Sequence, residues 1–332
     1  MGWWTRIGGW LSRRFSRRAP APAGRWLEGR AFAWRGLVGF RPWVFPRRRY
    51  RLYVPGNLQS AARAPLLVLL HGCRQTPEEF ARGTRIEVAA ERAGVLVLMP
   101  DQKDSANPYR CWNWFDRRTA SGQGEAAIVA KMVRKVARRH GADPANVVVA
   151  GMSSGAALAA VLGVRFPRLV RGVFSHSGLA CGAAASAFTA LAVMGRGPET
   201  DVAGIAGEAR RAAGDAVRVP IAIVQGSHDD VVARLNAEAL ARQYLALNGF
   251  DVPAGANSTL PHADAMDRDA RIPGLAVRVR EWRRDGRTLV RVIDVGGLGH
   301  AWSGGDGALP FNDPSPPDAT ALLLDWMTEL AQ

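Results

Sequence analysis

The stretch NVVVAGMSSGAALAAVL, residues 146–162, decides the fold. Asn146–Ala150 is a short, valine-rich run, apolar on both faces, which suits a buried strand of a parallel sheet. Gly151 ends it, and Ala156–Val164 reads as a helix packed against that strand. Between them lies Gly151-Met152-Ser153-Ser154-Gly155, a G-x-S-x-G turn. A strand before and a helix after are the context in which that pattern forms a nucleophile elbow, with the serine presented beyond the end of the strand. The glycines are needed because the turn is tight and a side chain at either position would collide with its neighbours. Ser153 is the candidate nucleophile, and Ser154 is the better candidate for a helix cap.

Working outward, the same grammar repeats. Tyr50–Val54, Pro65–Leu70, Val95–Met99, Pro220–Val224 and Leu289–Ile293 read as strands. Ala126–Ala137 reads as a helix, with Val129, Met132, Val133 and Val136 at helical spacing, and Ala319–Leu330 as a closing helix. Alternating strands and helices predict an α/β domain built on a mainly parallel, doubly wound sheet with helices on both faces. Residues 183–218 and 252–275 lack strand periodicity and read as excursions from the sheet, as loops or a lid. The chain of 332 residues is 48% hydrophobic and 22% charged, enough for one large core and incompatible with disorder throughout. Three cysteines exclude a disulfide-stapled miniature fold. No apolar run approaches the roughly 18 residues of an ordinary membrane-spanning helix.

A serine hydroxyl is a weak nucleophile and needs a base. On sheets with this elbow the chain order is serine, acid, histidine. His300 is the last of six histidines, in Gly296–Trp302 just after the last predicted strand, and is the candidate base. His140 and His262 read as surface residues, His71 as structural, and His228 as a weak alternative base. The acid is expected after Pro220–Val224, in Gln225-Gly226-Ser227-His228-Asp229-Asp230. Spacing leaves Asp229 and Asp230 both open, since either could instead cap the next helix. An oxyanion requires two backbone donors. The amide of Ser154 is one candidate, and the amide of Cys73, in the loop after Pro65–Leu70, is the other.

The net charge of +15 is concentrated at the start of the chain. Residues 1–51 hold 13 arginines, no lysine and a single acid, Glu28, and the remainder is nearly balanced. Residues 1–46 also hold six of the 11 tryptophans. Wound as a helix, Trp3, Trp4, Ile7, Trp10, Leu11 and Phe15 share one face, until Arg14 and Arg18 fall back onto it. Tryptophan beside arginine suits an anionic membrane or granule surface, and a flexible basic leader is the plainer alternative. Ser12-Arg13-Arg14-Phe15 is somewhat like a twin-arginine signal, but no apolar segment follows it. The expected division is a basic extension, 1–46, and a catalytic domain, 47–332. The extension carries no nucleic-acid-binding pattern, so no nucleic-acid partner is expected.

With these pieces placed, the body resembles the polyhydroxybutyrate depolymerase family of esterases. The resemblance rests on HGCRQTPEEFA (71–81), CWNWF (111–115), VVVAGMSSGAALAAVL (147–162), SGLACGAA (177–184), QGSHDDVV (225–232) and GLGHAWSGGD (297–306). It implies an α/β-hydrolase fold with a Ser153–Asp229–His300 triad, Asp229 rather than Asp230 aligning with the family's acid. It also implies that Cys73 and Cys111 can pair as a disulfide, leaving Cys181 a buried small residue. Trp112, Trp114 and Trp302 are expected to line the substrate cleft. The family often carries a histidine where this chain has Gln225, a position expected to stay clear of the chemistry.

The expected activity is serine-dependent hydrolysis of carboxylic esters, with no metal and no organic cofactor. The expected substrates are short hydroxyalkanoate (3-hydroxybutyrate) oligomers or polymer. Acetyl-xylan or feruloyl carbohydrate esters are one alternative, and a catalytically vestigial surface- or granule-binding protein is another. The resemblance and a Cys73–Cys111 disulfide favour export. The lack of an apolar signal peptide favours the cytoplasm, and the sequence leaves the two in conflict.

Overall fold

The computed structural model describes residues 24–32, 47–58, 63–214, 216–255, 259–272 and 275–332. Ten strands form one sheet: β1 (Arg25–Phe32), β2 (Arg47–Val54), β3 (Ala64–Leu70), β4 (Leu96–Pro100), β5 (Ala142–Met152), β6 (Gly172–His176), β7 (Ile221–Gly226), β8 (Ala265–Ile272), β9 (Leu275–Arg284) and β10 (Arg287–Val295). Two short strands, β11 (Trp302–Ser303) and β12 (Asn312–Asp313), pair separately. The helices are α1 (Pro77–Thr84), α2 (Ile86–Ala93), α3 (Arg117–Ala120), α4 (Gly124–His140), α5 (Ser154–Arg165), α6 (Ala187–Arg196), α7 (Val202–Ala213), α8 (Leu235–Leu247) and α9 (Ala319–Ala331). None among the described residues is long and apolar enough to cross a membrane.

The sheet order is β1-β2-β4-β3-β5-β6-β7-β10-β9-β8. The six strands from β4 to β10 are parallel, and the pairs at either end are antiparallel. The continuous apolar runs follow from burial on both faces. Along β3, Leu66, Val68 and Leu70 enter one core, beside α4, α5 and α8. Leu67 and Leu69 enter the other, beside α1, α2 and α9. The two-residue period of a strand divides each run between two helical layers. Each fully buried Leu or Val contributes about 1.5–3 kcal/mol, which outweighs any exposed ion pair.

Register brings the functional ends into line. Leu70 lies opposite Gly151, Met152 opposite His176, His176 opposite Val224, and Gly226 opposite Val295. The loops after β3, β5, β6, β7 and β10 therefore leave the sheet along one edge, where ligands of such sheets bind.

Three regions differ from the sequence-based expectation. Residues 25–32, assigned to the basic extension, form the edge strand β1 against β2. Trp26 is docked there rather than held for an outside surface. Its ring packs 5.2 Å from Tyr53, its Nε1 donates to Glu87 at 2.9 Å, and Arg51 lies over it. Gly29 permits the pairing, because a Cβ there would sit 2.1 Å from the Tyr50 ring. The other five tryptophans of the extension, and the surface-binding reading that rests on them, lie outside the described residues. Within 183–218 the described residues include two capped helices, α6 and α7, with Ser186 and Asp201 accepting from first-turn amides. Part of 252–275 is not an excursion at all, since β8 closes the sheet at its far edge. An edge strand needs no continuous apolar run, and the charged AMDRDARI of β8 suits a position where unpaired backbone must be protected.

Candidate active site

Ser153 sits between β5 and α5 at φ 55°, ψ −122°. That is sparsely populated space for a residue with a side chain, so the surroundings must hold it. The Ser153 amide donates to the His176 carbonyl at 2.9 Å. A Cβ on Gly155 would lie 2.2 Å from the Leu70 carbonyl oxygen and 2.5 Å from that of His71, and one on Gly151 would lie 2.6 Å from the Gly155 backbone. Both glycines thus allow the elbow to press against the end of β3. The His71–Gln75 loop closes over the turn, with the Cβ position of Gly72 3.6 Å from that of Ser153. The loop is pinned from within, as the Gly72 amide donates to Gln75 Oε1 at 2.8 Å.

Ser154 opens α5, so its amide is a first-turn N–H without an intrahelical carbonyl. Its hydroxyl accepts from the Trp112 amide at 3.3 Å and lies 3.4 Å from Cys73 Sγ. Cys73 and Cys111 are joined as a disulfide, with Cα atoms 4.2 Å apart. Cys181 is buried, and burial pushes its thiol up to about 11. Behind the Cys111 loop stands a buried polar group. Glu125 accepts from Arg48 (3.1 Å), Gln102 (2.6 Å), and the amide and side chain of Asn113 (2.8 and 3.0 Å).

Along the same sheet edge, His300 Nδ1 lies 3.0 and 2.9 Å from the two carboxylate oxygens of Asp229. The Asp229 carboxylate is fully buried and the His300 side chain 10% exposed. Oδ1 also accepts from the amides of Val231 (3.1 Å) and Val232 (2.8 Å). Burial alone would raise the Asp229 carboxyl. The His300 bond and charge, the Val232 amide and the Ser177 hydroxyl overcome it and hold the group below its ordinary value. Asp230, which spacing left open as the acid, is exposed, as is His228. The elbow and the pair are linked through His176. Its carbonyl takes the Ser153 amide, and its ring stacks on Trp302, 5.2 Å away, two residues past His300.

The family described as Esterase PHB depolymerase matches residues 48–264. The chain belongs to this family. Its relatives include poly(3-hydroxyalkanoate) depolymerase C of Paucimonas lemoignei, 28% identical over 258 residues that cover 74% of this chain and 59% of that one. The match thus spans less than two thirds of that depolymerase. Acetylxylan esterase A of Aspergillus oryzae is 27% identical over 227 residues, 64% of this chain and 71% of that one. The solved acetyl xylan esterase from Aspergillus awamori superposes with a TM-score of 0.67 over 85% of this chain and 94% of its own, at 20% identity. That likeness is one of fold, the α/β-hydrolase architecture.

Against the family pattern, two expectations need correction. Trp112, Trp114 and Trp302 do not line a cleft: they are 0, 3 and 0% exposed. Their partners are protein groups. Trp112 Nε1 donates to the His71 carbonyl (3.1 Å), Trp302 Nε1 to Thr320 Oγ1 (3.0 Å), and Trp114 packs edge-on to Phe115. They brace the loops from behind. Gln225 does reach the site, since its Nε2 is 3.3 Å from Asp229 Oδ2 and 2.9 Å from the Val232 carbonyl.

His176 and Ser177 carried no role in the sequence, yet both touch the acid's surroundings. His176 Nδ1 lies 3.2 Å from Ser177 Oγ, and the Ser177 hydroxyl bonds Asp229. Burial lowers His176 to about 3, with the nearby His300 charge adding to it, so the ring is neutral. Burial likewise lowers His71 to about 4, and its Nε2 accepts from the Gln102 amide at 3.3 Å. The available signal was Ser175-His176-Ser177-Gly178 after an apolar triplet, but β6 is too short to stand out. Among the described residues no group of three or more His, Cys, Asp or Glu is placed to hold a metal ion.

Proposed function

We propose that the chain is a serine hydrolase of carboxylic esters, acting through Ser153, His300 and Asp229. The observation that supports this best is the buried His300–Asp229 pair, on loops that leave the same sheet edge as the strained serine elbow. Asp229, held anionic, keeps the imidazole proton on Nδ1 and leaves Nε2 as the base. Ser153 Oγ attacks the ester carbonyl while His300 takes its proton. The carbonyl oxygen becomes an oxyanion facing the amides of Cys73 and Ser154. His300 then protonates the leaving alcohol as the carbonyl reforms, giving an acyl-enzyme. Water, deprotonated by His300, attacks that acyl group. Collapse releases the carboxylic acid and returns the proton to Ser153. No step draws on a metal or an organic cofactor.

The substrates we assign are esters of 3-hydroxybutyrate, as short oligomers or accessible polymer ends. Support comes from the family and from the relative named for poly(3-hydroxyalkanoate). The acetylxylan esterase relatives support sugar acetates as the second reading. The test is release of 3-hydroxybutyrate from short oligomers, run beside acetylated and feruloylated sugar esters, with Ser153→Ala as control. Release from the oligomers that is lost in the variant supports the first reading. Release only from sugar esters replaces it with the second, and unchanged turnover in Ser153→Ala removes the mechanism.

A further inference from the structure

The residue that follows the proposed oxyanion donor Cys73 is Arg74, and nothing in the mechanism above uses it. It is exposed and held at φ 62°, in the left-handed region that a non-glycine residue adopts only when its surroundings fix it. Its amide donates to the Tyr109 carbonyl at 2.7 Å, and its guanidinium lies over the Tyr109 ring, 5.5 Å from the centroid. Tyr109 is 60% exposed, a large ring held in the open. Its own loop is fixed, because the Tyr109 amide donates to Asn107 Oδ1 (3.0 Å), the Arg110 amide donates to the Asn107 carbonyl (2.8 Å), and the disulfide ties Cys111 to Cys73.

The neighbouring charges are cancelled differently. Arg110 is engaged by Asp101 at 2.7 Å and Asp104 at 3.2 Å. Among the described residues no carboxylate pairs with Arg74. A guanidinium stacked on a ring spends its face and keeps the N–H fork at its edge free, a geometry matched to a carboxylate. Stacking also restricts the side chain before any ligand arrives, which lowers the entropy lost on binding.

This inference rests on the hydroxyalkanoate reading above. A short hydroxy-acid oligomer ends in a free carboxylate, on the alcohol side of its last ester and only a few bonds from that scissile carbonyl. With the carbonyl oxygen at the Cys73 and Ser154 amides, the next residue along the loop is Arg74. The geometry points to Arg74, stacked on Tyr109, as the group that binds this terminal carboxylate, so that short oligoesters are cut at their carboxylate end. Neutral sugar esters offer no such handle.

The experiment compares kcat/KM for the linear 3-hydroxybutyrate trimer as the free acid and as its carboxamide. It uses the full chain and its Arg74→Gln and Arg74→Lys variants, at low and high salt. The wild type should favour the free acid by about tenfold or more, the usual worth of a charged hydrogen bond. The preference should shrink as salt is raised, fall near unity in Arg74→Gln, and survive in part in Arg74→Lys. A trimer isotopically labelled in its carboxylate-terminal unit should release labelled monomer first.

Equal rates on acid and carboxamide in the wild type would overturn the inference and leave the hydroxyalkanoate reading standing. So would a preference that persists in Arg74→Gln. Hydrolysis of sugar acetates with neither trimer cut would remove the substrate reading itself. The wild-type ratio and its salt dependence decide the matter without any variant, should Arg74→Gln fail to fold.

Discussion

Asp229→Asn isolates the orienting role of the acid, because the surrounding donors dictate how the carboxamide must sit. Two backbone amides, of Val231 and Val232, point at Oδ1. Turning the NH₂ toward them would leave two buried donors unpaired, at about 1–3 kcal/mol each. Turning it away sets it against Gln225 Nε2, a side-chain donor that can shift as the two backbone amides cannot. The carboxamide oxygen therefore takes the Oδ1 place, and the NH₂ takes the Oδ2 place, 2.9 Å from His300 Nδ1. The ring can then keep its proton on Nδ1 only by giving up the 2.9 Å partner and sharing the Oδ1 place, 3.0 Å away and already taken by two backbone amides. Otherwise the proton moves to Nε2, where it blocks the lone pair that must accept from Ser153. The same exchange in a serine protease triad costs about 10⁴ in kcat, equivalent to about 5.5 kcal/mol of transition-state stabilisation. The assay is kcat on p-nitrophenyl acetate, with thermal melting to show that the variant is folded and Asp230→Asn as the exposed comparison. A folded Asp229→Asn within tenfold of wild type would refute this reasoning. So would a larger loss in Asp230→Asn.

Other consequences can be measured separately. Gly155→Ala places a Cβ against two backbone oxygens of the β3 end, which cannot rotate away. It should cost about 1–3 kcal/mol in stability and about 10² in kcat by displacing the His71–Gln75 loop; near-normal kcat would contradict this close packing. His71, lowered to about 4, and His176, lowered to about 3, are neutral when folded but take up protons near pH 6.5 when unfolded. Stability should be full above about pH 6.5, fall as pH drops, and flatten below the folded values, with His71 alone contributing about 3 kcal/mol. A urea midpoint unchanged between pH 7 and pH 4 would contradict that. The Cys73–Cys111 bond closes a loop with a sequence separation of 38, worth up to about 4 kcal/mol on chain entropy. Its reduction should lower the melting temperature and, by freeing the loop that carries the Cys73 amide, lower kcat more than it raises KM.

Much of this was legible because two-sided burial leaves a strong mark. The central strands read as unbroken Val, Ile and Leu runs, and G-x-S-x-G between such a strand and a helix fixed where the elbow would lie. Chain order singled out His300 as the candidate base, whereas spacing left Asp229 and Asp230 equivalent. The family resemblance aligns Asp229 with the acid, and the fold buries that residue under the Val231 and Val232 amides and leaves Asp230 in solvent. The edges left weak marks. β8 and β1 carry charges where pairing is one-sided, and β6 is five residues long. The tryptophans misled for a related reason. An aromatic residue beside a functional motif can line a cleft or brace the loop from behind, and composition does not say which. Gln225 and Ser177 were silent because their part depends on a carboxylate brought to them by another loop.

The most direct test of the account is the identity of the nucleophile. The full chain would be treated with a fluorophosphonate ester analogue and the modified peptide sequenced by mass spectrometry. The account predicts one adduct, on Ser153, absent from Ser153→Ala and formed far more slowly in His300→Ala. An adduct on a different residue, or none while esters are still hydrolysed, would contradict it.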